Sequence, residues 1–201
     1  MLNILITGIG GQGTVLAAKL LAQAAAARGW KVRTAETIGM AQRGGSVVSH
    51  VRMGSGGEEV AAALLSSATA DLIIAFEPGE AARCLPYLAE EGTVVTATTA
   101  VQPVTAALSG SGYASAGAIE GLRVALDDAP TKLVVVDDAA LVEASGARKA
   151  LNVMLLACAL DACELPITVD DLREAVKATV KPQFVEMNLA AIDAALEVAH
   201  R

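Results

Sequence analysis

The sequence predicts an α/β fold, a doubly wound and mostly parallel sheet followed by an all-helical C-terminal third. Short apolar runs alternate with alanine- and leucine-rich stretches of helical period as far as residue 138, a pattern typical of βαβ units. After residue 138 the strand pattern stops, and helices are predicted at 139–146, 148–163, 169–179 and 183–199. We therefore expect one domain over 1–201, with an α/β core over about 1–138 and a helical extension over about 139–201.

Composition limits the classes of function. Of the 201 residues, 54% are apolar but only 2% are aromatic, so the core must consist of Ala, Val, Leu and Ile side chains. The formal net charge of −7 argues against a nucleic acid or an anionic membrane as partner.

The first elements form a predicted βαβ unit. Residues 2–7 are an apolar run typical of a buried central strand. Helical periodicity over 14–28 ends at Gly29, and residues 31–36 alternate as a second strand. Such a unit predicts parallel pairing of the two strands through a right-handed crossover.

The same patterns predict the later strands and helices. Further strands are predicted at 46–53, 71–76, 92–98 and 132–137, and helices at about 78–91 and up to Leu126. Pro86 should kink or split the first of these helices. Residues 60–68 suit a helix or a strand equally well. Thr168 with Asp171 resembles a capping box, and Pro182 suits a first helical turn.

The cysteines and the apolar runs bear on location. Cys84, Cys158 and Cys163 form no C-x-x-C pair, so zinc ribbons and cysteine-held iron–sulfur clusters lack ligands. The longest apolar run, 150–160, is too short to span a bilayer. The chain opens directly into a strand without a basic leader, and we expect reduced thiols and a cytoplasmic protein.

The turn after the first strand, 8-GIGGQG-13, is the first candidate site. Its Rossmann-like glycine spacing before a helix suits a phosphate or carboxylate, and Glu36 stands where dinucleotide folds keep an acid for ribose. Three interpretations stay open: a nicotinamide or flavin nucleotide site, close packing of helix and strand, or a loop that grips a partner or another phosphate. The candidate residues are Gly8, Gly10, Gly11, Gln12, Gly13 and Glu36.

The second candidate site is the stretch 36-ETIGMAQRGGSVVSHVRMG-54. Its glycines permit a tight turn, and Arg43 could hold a carboxylate or phosphate through two parallel hydrogen bonds. An ion pair with a nearby acid is the simpler alternative for Arg43, and a plain turn is the alternative for the glycines. The candidate residues here are Gly39, Gln42, Arg43, Gly44, Gly45, Ser46 and Arg52.

GIGGQG and GMAQRGG together make the sequence resemble the gamma-type domain of 2-oxoacid:ferredoxin oxidoreductases. Within that family it is most similar to the small subunits of the indolepyruvate branch. The resemblance continues at 71-DLIIAFEPGEAARCLPYL-88, 151-LNVMLLACAL-160 and 186-EMNLAAIDAAL-196. It covers nearly the whole chain apart from 99–130.

The resemblance implies a subunit that binds no cofactor tightly. Thiamine diphosphate and iron–sulfur clusters are expected on a larger alpha subunit, and ferredoxin is a partner of the complex. The implied reaction is CoA-dependent oxidative decarboxylation of an aryl pyruvate. We expect the two loops to meet at the carboxyl edge of the sheet as a face for that subunit, with coenzyme A as a candidate ligand at the shared interface. The isolated chain could also dimerise.

Other residues have simpler interpretations. His50 is predicted to be structural rather than a catalytic base. Glu77 and Glu80 follow a strand end and could line the same cleft, although acids at helix N-termini are common for electrostatic reasons alone. The competing functions are a stand-alone NAD- or flavin-dependent oxidoreductase and an assembly or regulatory module without a ligand.

Overall fold

The computed structural model describes residues 1–38, 44–102 and 117–200. They form a six-stranded sheet of order β2-β3-β1-β4-β5-β6. The strands are β1 Leu2–Ile9, β2 Lys31–Ile38, β3 Ser46–Gly54, β4 Ala70–Ala75, β5 Leu88–Ala97 and β6 Lys132–Val136. The pairs β1–β4, β4–β5 and β5–β6 are parallel, whereas β3 is antiparallel to both its neighbours. The predicted α/β class with a mostly parallel sheet is confirmed.

Helices cover both faces of this sheet. They are α1 Thr14–Ala27, α2 Pro78–Cys84, α3 Ala118–Leu126, α4 Asp138–Ser145, α5 Leu151–Ala162, α6 Val169–Thr179 and α7 Pro182–Ala199, with 3-10 turns at Leu85–Tyr87 and Arg148–Ala150. Within the described ranges every element after residue 138 is helical, as predicted.

The expected direct pairing of β1 with β2 is wrong. β3 lies between them and is antiparallel to each, with Gly8 opposite Val47 and Val47 opposite Ile38. The connection 39–45 is too short for the crossover that parallel neighbours need, so the chain turns back as a hairpin. β2 therefore becomes an edge strand.

Alternating strand residues build two cores. Ile4, Ile6 and Ile74 pack with α1 and the C-terminal helices in one cluster. Leu5 and Ile73 pack with Ala81 of α2, Cys84 and Leu122 of α3 in the other. A central strand buried on both faces has to be apolar throughout, which explains the unbroken run at residues 2–7.

Two predicted segments differ from the structure. Residues 58–69 form neither helix nor strand. Side chains hold part of this segment instead of a backbone ladder: Arg33 donates to the Val60 carbonyl at 2.6 Å and Arg52 to that of Ala62 at 3.0 Å. The helix predicted over 78–91 ends at Cys84, because Pro86 lies in a 3-10 turn and residues 88–91 belong to β5.

The capping box of α6 gives a stability prediction. The Thr168 hydroxyl oxygen accepts from the Asp171 N–H at 3.2 Å, and the Asp171 carboxylate accepts from the Thr168 N–H at 2.8 Å. We expect Thr168→Ala to lower the free energy of unfolding by about 1 kcal/mol, a Tm decrease of about 2–4 °C. Thr179→Ala, at the exposed other end of the helix, is the matched control. Equal Tm values for the two variants would contradict a stabilising cap.

Candidate functional site

The glycine turn joins β1 to α1 at the carboxyl edge of the sheet. Gly11 and Gly13 have φ values of 107° and 87°, the left-handed region that side chains rarely adopt. Gly8 is required for a different reason, because a Cβ there would lie 2.7 Å from Gln12 Oε1. The spacing of these three glycines therefore reflects backbone conformation and close packing.

Gln12 fixes the turn against the neighbouring strand. Its Oε1 accepts from the Ile9 N–H at 2.7 Å, and its Nε2 donates to the Phe76 carbonyl at 3.0 Å. Both ends of the side-chain amide are therefore engaged within the protein. Gln12 was predicted to face a ligand or partner, and the structure gives it a role in holding the loop.

The N-terminus of α1 carries no side-chain cap, and the Asn152 amide lies beside it, donating to the Gly13 carbonyl at 3.3 Å. Gly13 is the N-cap residue, no side chain caps the helix, and its first turn contains no acidic residue. The first N–H groups of such a helix lack intrahelical acceptors and carry partial positive charge. Leu16 beside them is 36% exposed. This end can accept an anion or the carbonyl groups of another chain.

The glycine turn contacts the described end of the second candidate loop. The Gly10 N–H donates to the Gly45 carbonyl at 2.8 Å, and Gly44 has a φ of 79°. The hydrogen bond joins the glycine turn to the end of the second loop, as expected from the sequence. It also uses the Gly10 N–H, so this donor is not available to a ligand.

The buried carboxylate of Glu80 binds Ser46, the first residue of β3. The Ser46 hydroxyl donates to Glu80 Oε2 at 2.6 Å, and Glu80 is only 2% exposed. Arg83 Nε lies 3.2 Å from the other oxygen of Glu80. Glu77, fully buried, caps α2 by accepting from the Glu80 N–H at 2.8 Å. The sequence left both acids open as lining of the cleft or as acids of a helix N-terminus, and the pairing of Glu80 with Ser46 was not predicted.

These contacts define a unit that we call the carboxyl-edge platform: Gly8–Leu16, Gly44–Ser46 and the first turn of α2. Gly10 and Ser46 each bond from one of these segments to another, and Gln12 bonds to Phe76 directly after β4. Gly39, Gln42 and Arg43 lie outside the described residues.

Two predicted site residues lie away from this platform. Arg52 pairs with Asn3 across the sheet, whereas Gly8 pairs with Val47, so Arg52 lies roughly 16 Å farther along β3. Its Nε donates to Asn3 Oδ1 at 3.1 Å. The predicted grouping of Arg52 with the loops is wrong, because β3 runs in the reverse direction.

Glu36 is the other displaced residue. It lies on β2 opposite Ser49, and β3 separates it from β1. Two strand spacings amount to roughly 10 Å, so Glu36 does not stand beside the glycine turn as the ribose-binding acid of a dinucleotide fold does.

His50 has structural contacts. Its Nδ1 accepts from the Leu65 N–H at 3.3 Å, and its ring meets Tyr87 edge-on with centroids 5.7 Å apart. Burial lowers the pKa of His50 below its ordinary value of 6.5. These contacts favour the structural interpretation over a catalytic base.

This pKa shift gives a pH prediction. The folded state favours neutral His50, so stability should be complete above pH 6.5 and should decrease as the pH falls below that value, because the unfolded chain binds the proton more readily. Tm measured from about pH 8 to pH 5 should fall less for His50→Gln than for wild type. A wild-type slope in His50→Gln would contradict the assignment.

Within the described ranges the cysteines are free. Burial raises the pKa of the Cys158 thiol to about 11 and also raises those of Cys84 and Cys163, which keeps the thiols protonated and weakly reactive. The described residues contain no group of three His, Cys, Asp or Glu side chains placed to hold a metal. None of the described helices has the length and apolar character needed to cross a membrane.

The sequence as a whole matches the family model described as pyruvate ferredoxin/flavodoxin oxidoreductase, over residues 3–198. The chain belongs to this family. It is 34% identical to the indolepyruvate oxidoreductase subunit IorB of Pyrococcus horikoshii, an alignment that covers 98% of this chain and 95% of that protein. The IorB subunit of Archaeoglobus fulgidus is also 34% identical, over 95% of this chain and 92% of its own length.

A solved structure supports the fold assignment within this family. The gamma subunit of a keto/oxoacid ferredoxin oxidoreductase from Geobacter sulfurreducens superimposes with a TM-score of 0.70 at 19% identity, covering 100% of this chain and 99% of that one. At this level of identity the similarity concerns the fold.

Proposed function

We propose that this chain is the small, gamma-type subunit of a 2-oxoacid:ferredoxin oxidoreductase of the indolepyruvate type, with residues 1–201 acting as one domain. A larger alpha subunit would carry thiamine diphosphate and the iron–sulfur clusters. The complex would decarboxylate an aryl pyruvate, transfer the resulting acyl group to coenzyme A and pass the electrons to ferredoxin in the cytoplasm. The full-length similarity to IorB subunits supports the substrate class.

The carboxyl-edge platform is the observation that supports docking of the larger subunit. It combines an uncapped helix N-terminus with an exposed apolar side chain, Leu16. Carbonyl groups of a partner can accept from the free N–H groups while Leu16 is buried beside them. Interfaces of this kind contain apolar contacts surrounded by polar ones. The platform is also internally hydrogen-bonded, so little conformational entropy is lost when it docks.

Coenzyme A is the proposed ligand at the shared interface. Its phosphates suit the N-terminus of α1, which has no acidic residue in its first turn. Under this proposal the chain contributes part of the site, and the rest comes from the larger subunit.

A stand-alone nucleotide-binding oxidoreductase is the second candidate, which the glycine spacing and the uncapped helix N-terminus favour. The position of Glu36 across β3 and the use of the Gly10 N–H within the protein weigh against it. Thermal shift with NAD, FAD and coenzyme A separates the candidates. A ligand at a hundredfold excess over its Kd stabilises by about 2.7 kcal/mol, and such an effect from NAD or FAD on the isolated chain would favour the second candidate.

The direct test is co-expression with the proposed larger alpha subunit. We expect a stable complex that reduces ferredoxin with indolepyruvate and coenzyme A, and no such activity from the chain alone. Leu16→Lys should weaken the complex at least about tenfold, because a charge would replace a buried apolar contact. Val124→Lys on α3, at an apolar residue that is 71% exposed, is the matched control. A complex unaffected by Leu16→Lys would contradict docking at this platform.

A further inference from the structure

Within the described ranges, β2 is an edge strand whose outer side pairs with no other strand. It pairs with β3 over its whole length, Lys31–Ile38, in one continuous register. The sheet order ends at β2, and no other strand within the described ranges pairs with it. Its outer N–H and C=O groups are therefore available, and proteins usually shield such edges by short length, proline or bulges. β2 is eight residues long with neither proline nor a bulge, and its charged residues are Lys31, Arg33 and Glu36.

A groove runs beside this edge on one face of the sheet. Its volume is about 420 Å³, and α1, β2 and the end of α6 form its walls. Its lining side chains are those of Lys19, Ala22, Gln23, Ala26, Val32, Thr34 and Thr179. The groove is open, small residues of α1 form much of its floor, and Lys19 brings a positive charge to it.

Strand β2 also carries a large, exposed apolar side chain, that of Ile38. Ile38 is 59% exposed, which is unusual for a large apolar residue on a strand. Side chains alternate along a strand, so Val32, Thr34, Glu36 and Ile38 share the face on which the groove lies. The strand therefore presents both an apolar projection and, six residues earlier, an apolar recess at Val32.

These features are self-complementary. If two copies of β2 pair antiparallel about a two-fold axis at Ala35, Ile38 of each copy stands opposite Val32 of the other. Each Ile38 then enters the groove of the second copy, so both projections and both recesses are used in a symmetric contact. Cross-strand apolar pairs of this kind stabilise antiparallel sheets.

The charges agree with the same register. Glu36 of one copy stands opposite Thr34 of the other, and Thr34 lines the groove together with Lys19. A carboxylate thus approaches an ammonium group on each side of the axis. Both side chains are exposed in the single chain, so the pairing requires no buried charge.

We propose that the β2 edge is a homodimer interface at which a second copy of this chain extends the sheet and inserts Ile38 into the groove beside Val32. This inference does not depend on the proposed enzymatic function. One strand pair with one groove on each side is smaller than a standard stable interface, so we expect dissociation in roughly the micromolar range.

Sedimentation equilibrium of the full chain tests the proposal. Wild type should show a concentration-dependent monomer–dimer equilibrium, and Ile38→Lys should raise the dimer Kd at least about tenfold. Val124→Lys places the same charge at an exposed apolar residue on α3 and should leave the Kd unchanged. Circular dichroism and Tm confirm that each variant is folded.

A charge exchange tests the register. Glu36→Lys and Lys19→Glu should each weaken the dimer, and the double variant should regain most of the affinity because the pair is restored in reversed order. The proposal would be overturned by a monomer at every concentration, by a dimer insensitive to Ile38→Lys, or by double-variant weakening equal to the sum of the singles. The proposal would also be overturned if hydrogen–deuterium exchange of β2 slowed only when the larger subunit is present, because the edge would then belong to the contact with that subunit.

Discussion

Gly13→Ala should lower the free energy of unfolding by about 2–5 kcal/mol. Two effects add: a side chain at a φ of 87° costs about 1–2 kcal/mol in the left-handed region, and overpacking costs about 1–3 kcal/mol. The second effect arises because the new Cβ would lie 2.7 Å from Asn152 Nδ2. Chemical denaturation measures the change directly, and Tm should fall by roughly 5–15 °C.

Gly11→Ala is the matched control for this prediction. Gly11 also has a positive φ, 107°, but an added Cβ there meets nothing within 4 Å. It should therefore cost only the backbone term, about 1–2 kcal/mol. Equal destabilisation by the two glycine variants would contradict this account of the turn.

Glu80→Ala should have an effect of similar size, a loss of about 3 kcal/mol. The variant removes a buried carboxylate and leaves the Ser46 hydroxyl without its acceptor, and removal of one partner of a buried polar pair is far costlier than the net value of the bond. Ser46 begins β3 directly after Gly44 and Gly45 of the carboxyl-edge platform. Because loss of its bond to Glu80 should loosen this part of the platform, we also expect weaker assembly with the larger subunit. Denaturation measures the first effect, and titration of the larger subunit measures the second.

Two comparisons isolate the Ser46–Glu80 bond. Ser46→Ala should cost about 1–2 kcal/mol, and combined with Glu80→Ala it should add little to the loss. Arg83→Ala removes the other partner of Glu80, but the Arg83 side chain is 65% exposed, so we expect a change within about 1 kcal/mol. Strict additivity of Ser46→Ala and Glu80→Ala would show that the two side chains do not depend on each other.

The sequence predicted correctly those helix boundaries that are determined by residues close to them in the chain. Gly29, with its φ of 77°, follows α1 as predicted. Helix α6 has the predicted bounds, and Asp171 completes its capping box in place of the more common Glu or Gln. Pro182 stands in the first turn of α7. In each case the residues next to the helix end are sufficient to explain where the helix begins or ends.

Features that depend on distant residues were not predictable in this way. The direction of β3 could have been inferred from the short connection before it, but its place between β1 and β2 depends on distant residues. Together they moved Arg52 away from the site and placed Glu36 on an edge strand. Gln12 acquires its structural role from the Phe76 carbonyl, and Glu80 from Ser46. No periodicity or motif reports contacts between residues so far apart in sequence.

Hydrogen–deuterium exchange of the chain, alone and in complex with its larger subunit, tests the central claim most directly. Docking at the carboxyl-edge platform predicts slower exchange in peptides covering 8–16 and 44–50, with no change at the opposite edge of the sheet, around 161–165. Unchanged exchange in the two platform peptides, together with protection at that opposite edge, would contradict the account.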